Sequence, residues 1–180
     1  MDYNNYKGYK SLPFFQQSEI IYDFTTEFVG KYIAYNSRTK DQMTQAARSG
    51  KQNIAEGCMA SGTSKKTELK LVGIARASLE ELLVDYQDYL RQHNLPLWGK
   101  EHPKTLEVRA LARLKDKSYK TYSTYFESGS PEIAANTAVC LIHQANYLLD
   151  QQLRALDKAF LENGGFTERL YKMRQQQRSQ

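Results

Sequence analysis

Residues 41–90, DQMTQAARSGKQNIAEGCMASGTSKKTELKLVGIARASLEELLVDYQDYL, decide the fold. Two apolar patterns of helical period flank one Gly/Ser turn. In the first, Met43, Ala47, Gly50, Ile54 and Gly57 alternate steps of four and three, the spacing of a seam between packed helices. The seam is small in its middle, where Ala46, Ala47 and Gly50 fall together. Glycine inside a helix costs about 1 kcal/mol against alanine, so the close approach of a neighbouring helix has to offset it. Cys58 to Thr63 ends this helix, and Thr63 or Ser64 caps the next. There Val72, Ala75, Leu79, Leu82, Tyr86 and Leu90 form the seam, with Leu69 and Leu83 beside it. The pattern predicts a helix to about His93, roughly 40 Å at ~1.5 Å per residue. Asn94-Leu95-Pro96-Leu97-Trp98-Gly99 stops it.

Upstream, Ile21, Phe24, Phe28, Tyr32 and Tyr35 make one stripe of an earlier helix, with Ser18 as its N-cap and Asn36-Ser37 as its break and the next cap. Residues 1–15 read as a Tyr-rich arm. Tyr3, Tyr6 and Tyr9 alternate with Lys7 and Lys10 before Leu12-Pro13-Phe14-Phe15. Such rings either fold back on a core or stack on bases. Downstream, Lys100, Lys104, Arg109, Arg113, Lys115, Lys117 and Lys120 face only Glu101, Glu107 and Asp116 up to Lys120, a strongly basic connection. Within it Leu106, Ala110 and Leu114 fit a short helix, and Tyr119, Tyr122, Tyr125 and Phe126 follow. Ser128-Gly129-Ser130-Pro131 is a turn with Pro at a helix N1 position. The last long helix runs from about Pro131 to Glu162 on Ala138, Leu141, Ala145, Leu148, Gln152, Leu156 and Phe160. Asn163-Gly164-Gly165 terminates it, and the basic tail 166–180 is either a final exposed helix or disordered. The fold read from this is all-α: an antiparallel up-down four-helix bundle with an extra irregular or helical connection before the last long helix, in one domain over 1–180.

The length of 180 residues suits one core. A formal net charge of +5 favours acidic partners such as nucleic acid. No apolar run reaches the roughly 20 residues of a membrane span and no signal core opens the chain. Cys58 and Cys140, far apart in apolar helical contexts, read as small core residues rather than a disulfide. The expectation is a cytoplasmic protein.

The residues offer little chemistry. The Glu-x-x-His pairs of di-metal bundles are absent, and His93, His102 and His143 have no partners at ligand spacing. GCMASGTSKK lacks the spacing of a phosphate loop. Cys58, Cys140 and Ser78 have no base placed beside them by sequence. The chain therefore reads as no enzyme, with no catalytic, cofactor or metal residues. Arg76 and Glu80 are spaced as a surface ion pair, while Asn53 and Glu56 flank the narrow seam as candidates to cap or bridge helices.

Asp41-Gln42-Met43, Ala46-Ala47-Arg48-Ser49, Asn53-Ile54-Ala55-Glu56-Gly57, Ser64, Glu68 and Ile74-Ala75-Arg76-Ala77-Ser78-Leu79-Glu80-Glu81-Leu82 resemble a bacterial four-helix-bundle family. It comprises the proteins encoded in 23S ribosomal RNA intervening sequences and the accessory variability-determinant proteins of diversity-generating retroelements. The longer connection after Trp98 and the extra C-terminal stretch resemble its suffix-type members. The resemblance implies a cytoplasmic homo-oligomer, typically a pentamer, that binds nucleic acid or serves a reverse transcriptase. It carries over no catalytic residue. Asn53, Glu56, Gly57, Arg76 and Ser78 match family positions as fold or interface determinants.

Two functions follow as expectations. One is RNA or DNA binding through Arg38, Lys40, Arg48, Lys51, Lys65, Lys66, Lys70 and Arg76 of the hairpin, extended by Arg109, Arg113, Lys115, Lys117 and Lys120 and by Arg169, Lys172 and Arg174 of the tail. The other is a structural or protein-interaction scaffold without nucleic acid, with the tyrosines as interface anchors.

Overall fold

In a computed structural model, residues 8–163 and 166–178 are described. Tyr3, Tyr6 and Lys7 of the arm and Gly164-Gly165 lie outside them. A 3-10 turn, Tyr9–Ser11, leads into α1 (Pro13–Tyr32), α2 (Arg38–Ala60), α3 (Lys65–Gln92), α4 (Pro103–Leu111), α5 (Tyr119–Glu127), α6 (Pro131–Asn163) and α7 (Phe166–Arg178). Among the described residues the chain is all-α, with no strand.

The start of α1 corrects the sequence reading. Ser18 is not its N-cap but sits fully buried inside it, donating to the Phe15 carbonyl at 2.7 Å. Proline supplies the first helical position, where its missing N–H costs nothing. Phe14 and Phe15 therefore belong to the helix and are buried, and the arm is shorter than expected. Tyr9 meets Phe15 edge-on with centroids 4.9 Å apart. The stripe also ends a turn early: Tyr35 lies past α1, 91 % exposed, with Lys40 Nζ 5.3 Å from its ring.

The caps of α2 and α3 are polar side chains. Ser37 accepts from the Thr39 N–H at 3.3 Å, and Ser64 rather than Thr63 accepts from the Thr67 N–H at 3.2 Å. At the end of α3, Asn94 adopts a left-handed φ of 54° while the Leu95 N–H bonds the Leu90 carbonyl at 2.8 Å. This closes the helix as a glycine C-cap would, and Pro96 prevents its continuation.

Packing runs α1 on α2, α2 on α3, α3 on α6 and α6 on α1. Between them lie Phe24, Phe28, Met43, Ile54, Leu79, Leu82, Tyr86 and Leu141, all fully buried. At these areas each apolar side chain contributes roughly 1.5–3 kcal/mol. The α2–α3 contact is the tight one. A Cβ built on Gly50 would stand 2.7 Å from Leu79 Cδ2, and one on Gly57 would stand 3.4 Å from Leu71 Cβ and Val72 Cγ2. The small seam thus brings α3 against the α2 backbone at Gly50.

The connection between α3 and α6 folds onto its own chain. Trp98 donates its N–H to Asn136 Oδ1 at 2.8 Å and its indole N–H to Glu132 at 2.9 Å, while Asn136 donates to the Pro96 carbonyl. α4 packs on α6, and α5 packs on α1 and α6. Leu114, expected in a helix with Leu106 and Ala110, lies beyond α4 and is half-exposed. α5 is capped by Ser118 and Thr121 in a reciprocal box and inserts Tyr122 and Phe126. Because two short helices cover α6 on its outer side, every residue from Ala134 to Ile142 is buried. No helix among the described residues is long and apolar enough to cross a membrane.

Candidate nucleic-acid interface

The hairpin cations do not form one patch. Gly50 faces Leu79 and Gly57 faces Val72, so the two helices run past each other in opposite directions. Arg38 therefore shares a groove with Glu81 near the end of α3, whereas Lys65, Lys66 and Lys70 stand at the other end. Several of these cations already have local partners. Lys65 donates to the buried Glu68 at 2.8 Å. Arg76 donates to Glu80 at 2.7 Å and to Asp150 of α6 at 3.0 Å. Lys51 Nζ lies 4.0 Å from the centroid of the Tyr22 ring, a cation–π contact. Arg38, Arg48, Lys66 and Lys70 are exposed and have no ion pair among the described residues. The groove beside Arg38, about 450 Å³, is also lined by Asp41, Gln45, Ser49, Ser78 and Glu81. Its walls carry both signs of charge.

The connection presents a different picture. Arg109 on α4, Arg113 and Lys115 in the link, and Lys120 at the start of α5 are all exposed and unpaired among the described residues. Lys117 instead donates to the Ala112 carbonyl at 3.1 Å, closing the end of α4. Arg109 and Lys120 stand on short helices packed on α6 and α1, and Arg113 and Lys115 on the turn that joins those helices. In the tail, Arg174 is exposed, and the side chains of Arg169 and Lys172 lie outside the described residues.

The polar residues of the hairpin are mostly joined across helices. Ser49 and Ser78 hydroxyls meet at 3.0 Å between α2 and α3, and Asn53 donates to the Ser49 carbonyl at 2.9 Å and hydroxyl at 3.1 Å. The Arg76–Glu80 pair is more than a surface pair within one helix, because Asp150 and Asn146 of α6 join it, the latter donating to Glu80 at 3.1 Å. Asp150 and Asn146 were not legible as partners: they lie 74 and 66 residues from the groups they touch. Glu56 is exposed and makes no hydrogen bond or ion pair among the described residues, so it bridges no helices there.

Nothing in the titration of these groups marks a nucleophile or base. Burial pushes both thiols up, with Glu68 adding to the effect at Cys58. Cys58 and Cys140 are unpaired, and Cys140 is buried. Tyr122 is pushed up to about 12 by burial. The His143 imidazole is pulled down, chiefly by lost solvation, with Arg76, Lys100 and Arg109 adding to it and Glu80 opposing. No group of three or more His, Cys, Asp or Glu side chains able to hold a metal occurs among the described residues. What the exposed cations can do is contact phosphates.

No family model matches the chain, and no curated protein or solved structure does either.

Proposed function

We propose that the chain is a non-enzymatic, antiparallel up-down four-helix bundle that binds RNA or DNA by phosphate contacts, with the α4–α5 connection as its main contact surface. One observation carries this: Arg109, Arg113, Lys115 and Lys120 are exposed and free of ion pairs among the described residues, and with Lys100 they outnumber the exposed Glu101, Glu107 and Asp116 of the same connection. The opposed direction of neighbouring helices supports the topology. Gly50 meets Leu79 and Gly57 meets Val72 between α2 and α3, and Arg76 meets Asp150 and Glu80 meets Asn146 between α3 and α6, so in both pairs the numbering rises on one helix as it falls on the other. The motif resemblance to the intervening-sequence and variability-determinant family supports a homo-oligomer, five copies by that resemblance, working in the cytoplasm on nucleic acid or with a reverse transcriptase. Exposed Arg38, Arg48, Lys66 and Lys70 of the hairpin would extend the footprint. Contacts of this kind are salt-dependent and carry little sequence preference.

The test is fluorescence anisotropy of nuclease-treated protein with structured RNA and duplex DNA across a salt series. Affinity that falls steeply with salt, and falls further in R109E/R113E/K115E, is the expected result. Absence of binding at low salt would leave the second reading, a protein-interaction scaffold. The mixed signs around the Arg38 groove and the local pairing of Lys65 and Arg76 favour that alternative.

A further inference from the structure

α3 has a second stripe, opposite the one that packs. Leu79 is fully buried. On the other side of the helix Lys66, Lys70, Ile74, Ala77, Glu81 and Val84 are exposed and Asp88 is half-exposed. They recur in steps of four and three, which puts them on one line down the helix. Two of them are β-branched apolar residues facing water, Ile74 at 39 % and Val84 at 49 % exposure. α3 packs on α2 and α6 by its other sides, and the outer line stays uncovered.

The order of residues along this line is its own complement. Lys70 and Asp88 lie nine residues either side of Leu79, Ile74 and Val84 five, and Ala77 and Glu81 two. Reversing the helix about that level sets a cation on an acid at both ends and apolar on apolar inside them. A two-fold contact requires this reciprocity, because residue i meets j while j meets i. A parallel pairing would set lysine on lysine.

We infer that the outer stripe of α3 is a docking surface for a second copy of this chain, with the two α3 helices antiparallel and crossing at the level of Leu79, between Ala77 and Glu81. Lys70 of one copy faces Asp88 of the other, twice. Ile74 packs on Val84, and the single methyl of Ala77 leaves room for Glu81 across the axis. Asp88 is available for this: Arg91 binds its Oδ1 at 2.9 Å, and its other oxygen has no bond among the described residues. The paired ends lie about 27 Å apart at ~1.5 Å per residue. One helix face on another buries less than the roughly 1,200 Å² of a standard interface. The association is therefore weak and, through its charged ends, salt-sensitive. It does not rest on nucleic-acid binding. A two-fold contact closes at two copies, so any five-membered ring uses a different surface and this one joins assemblies in pairs.

Light scattering and sedimentation equilibrium on the full chain test the pairing, using wild type, K70D, D88K and an equimolar mixture of the two variants. Wild type associates to an even number of copies as concentration rises. Each variant sets like charges at both ends of its own pairing, so its mass at the same concentration falls twofold. The mixture regains the wild-type mass, because one variant then supplies acids at both positions and the other supplies lysines. Circular dichroism checks that these exposed substitutions leave the fold intact. Single variants with the wild-type mass, a mixture that stays at the lower mass, or a wild type that never self-associates would each overturn the inference.

Discussion

Replacing Gly50 with alanine puts one methyl where Leu79 already sits. The new Cβ would lie 2.7 Å from Leu79 Cδ2 and 2.9 Å from Cγ. Carbon atoms at rest stand about 3.5–4.0 Å apart, so the overlap approaches 1 Å. Leu79 is fully buried and cannot swing into solvent, so relief requires a strained rotamer or a wider spacing of α2 and α3. Overpacking of this kind costs about 1–3 kcal/mol. Against it stands the gain of about 1 kcal/mol from removing a helical glycine. The net expectation is a loss of about 0–2 kcal/mol. Gly73 in α3 is the control, since a Cβ there meets nothing within 4 Å. Gly73→Ala should therefore keep its full gain of about 1 kcal/mol. Urea unfolding followed by circular dichroism, at one protein concentration, reads both. Leu79→Ala alone should cost about 2–5 kcal/mol. In the Gly50→Ala background it should cost less, because the added methyl enters the space vacated, giving a coupling of about 1–2 kcal/mol. Equal stabilisation by both alanines, with strictly additive effects in the double variant, would refute a close α2–α3 approach at Gly50. Gly50→Leu should destabilise more than Gly50→Ala, because several atoms rather than one must be accommodated.

Two buried tyrosines should answer differently to loss of their hydroxyls. Tyr86 donates to Thr25 at 3.1 Å across α3 and α1, so Tyr86→Phe should cost about 1 kcal/mol in the same unfolding assay. The buried Tyr122 hydroxyl has no partner among the described residues, so Tyr122→Phe should be neutral or stabilising by about 1 kcal/mol. His143 should make stability weakly pH-dependent, because its ring is partly open to solvent. Its imidazole is pulled below the ordinary 6.5, so the unfolded chain takes up a proton more readily than the folded one. Stability contributed by the neutral ring is thus complete above 6.5 and lost as pH falls through and below that value. A urea midpoint that drops over this range in wild type should drop less in His143→Asn, and identical profiles would remove His143 as a cause.

What the sequence made legible was what repeats locally. α2, α3 and α6 carry their apolar residues at steps of three and four over many turns, and their bounds lie within a residue or two of expectation. Ser37, Asn94 and Pro131 act where turn and cap chemistry put them. The start of α1 was misplaced because Phe14 and Phe15 were assigned to an arm, although Pro13 before them is itself a helix-start signal. α5 was not anticipated as a separate helix: at nine residues it shows only Tyr119, Tyr122 and Phe126 as a pattern. The burial of Ala134 to Ile142 all round was not anticipated either, since it depends on α4 and α5 lying over them. Of the candidate interface, residue type and exposure could be guessed, but engagement could not. That Arg76 is held by Asp150 while Arg113 is free depends on how helices distant in sequence come together. Spacing within one helix reports only the Arg76–Glu80 half.

The most direct test of the account is the salt dependence of duplex DNA affinity for wild type beside R109E/R113E/K115E. Each phosphate contact contributes about 0.9 to the slope of log affinity against log salt. Wild type should bind with a slope of several units, and the variant should bind more weakly with a shallower slope. A variant that matches wild type in both affinity and slope, or a wild type that does not bind at low salt, would contradict it.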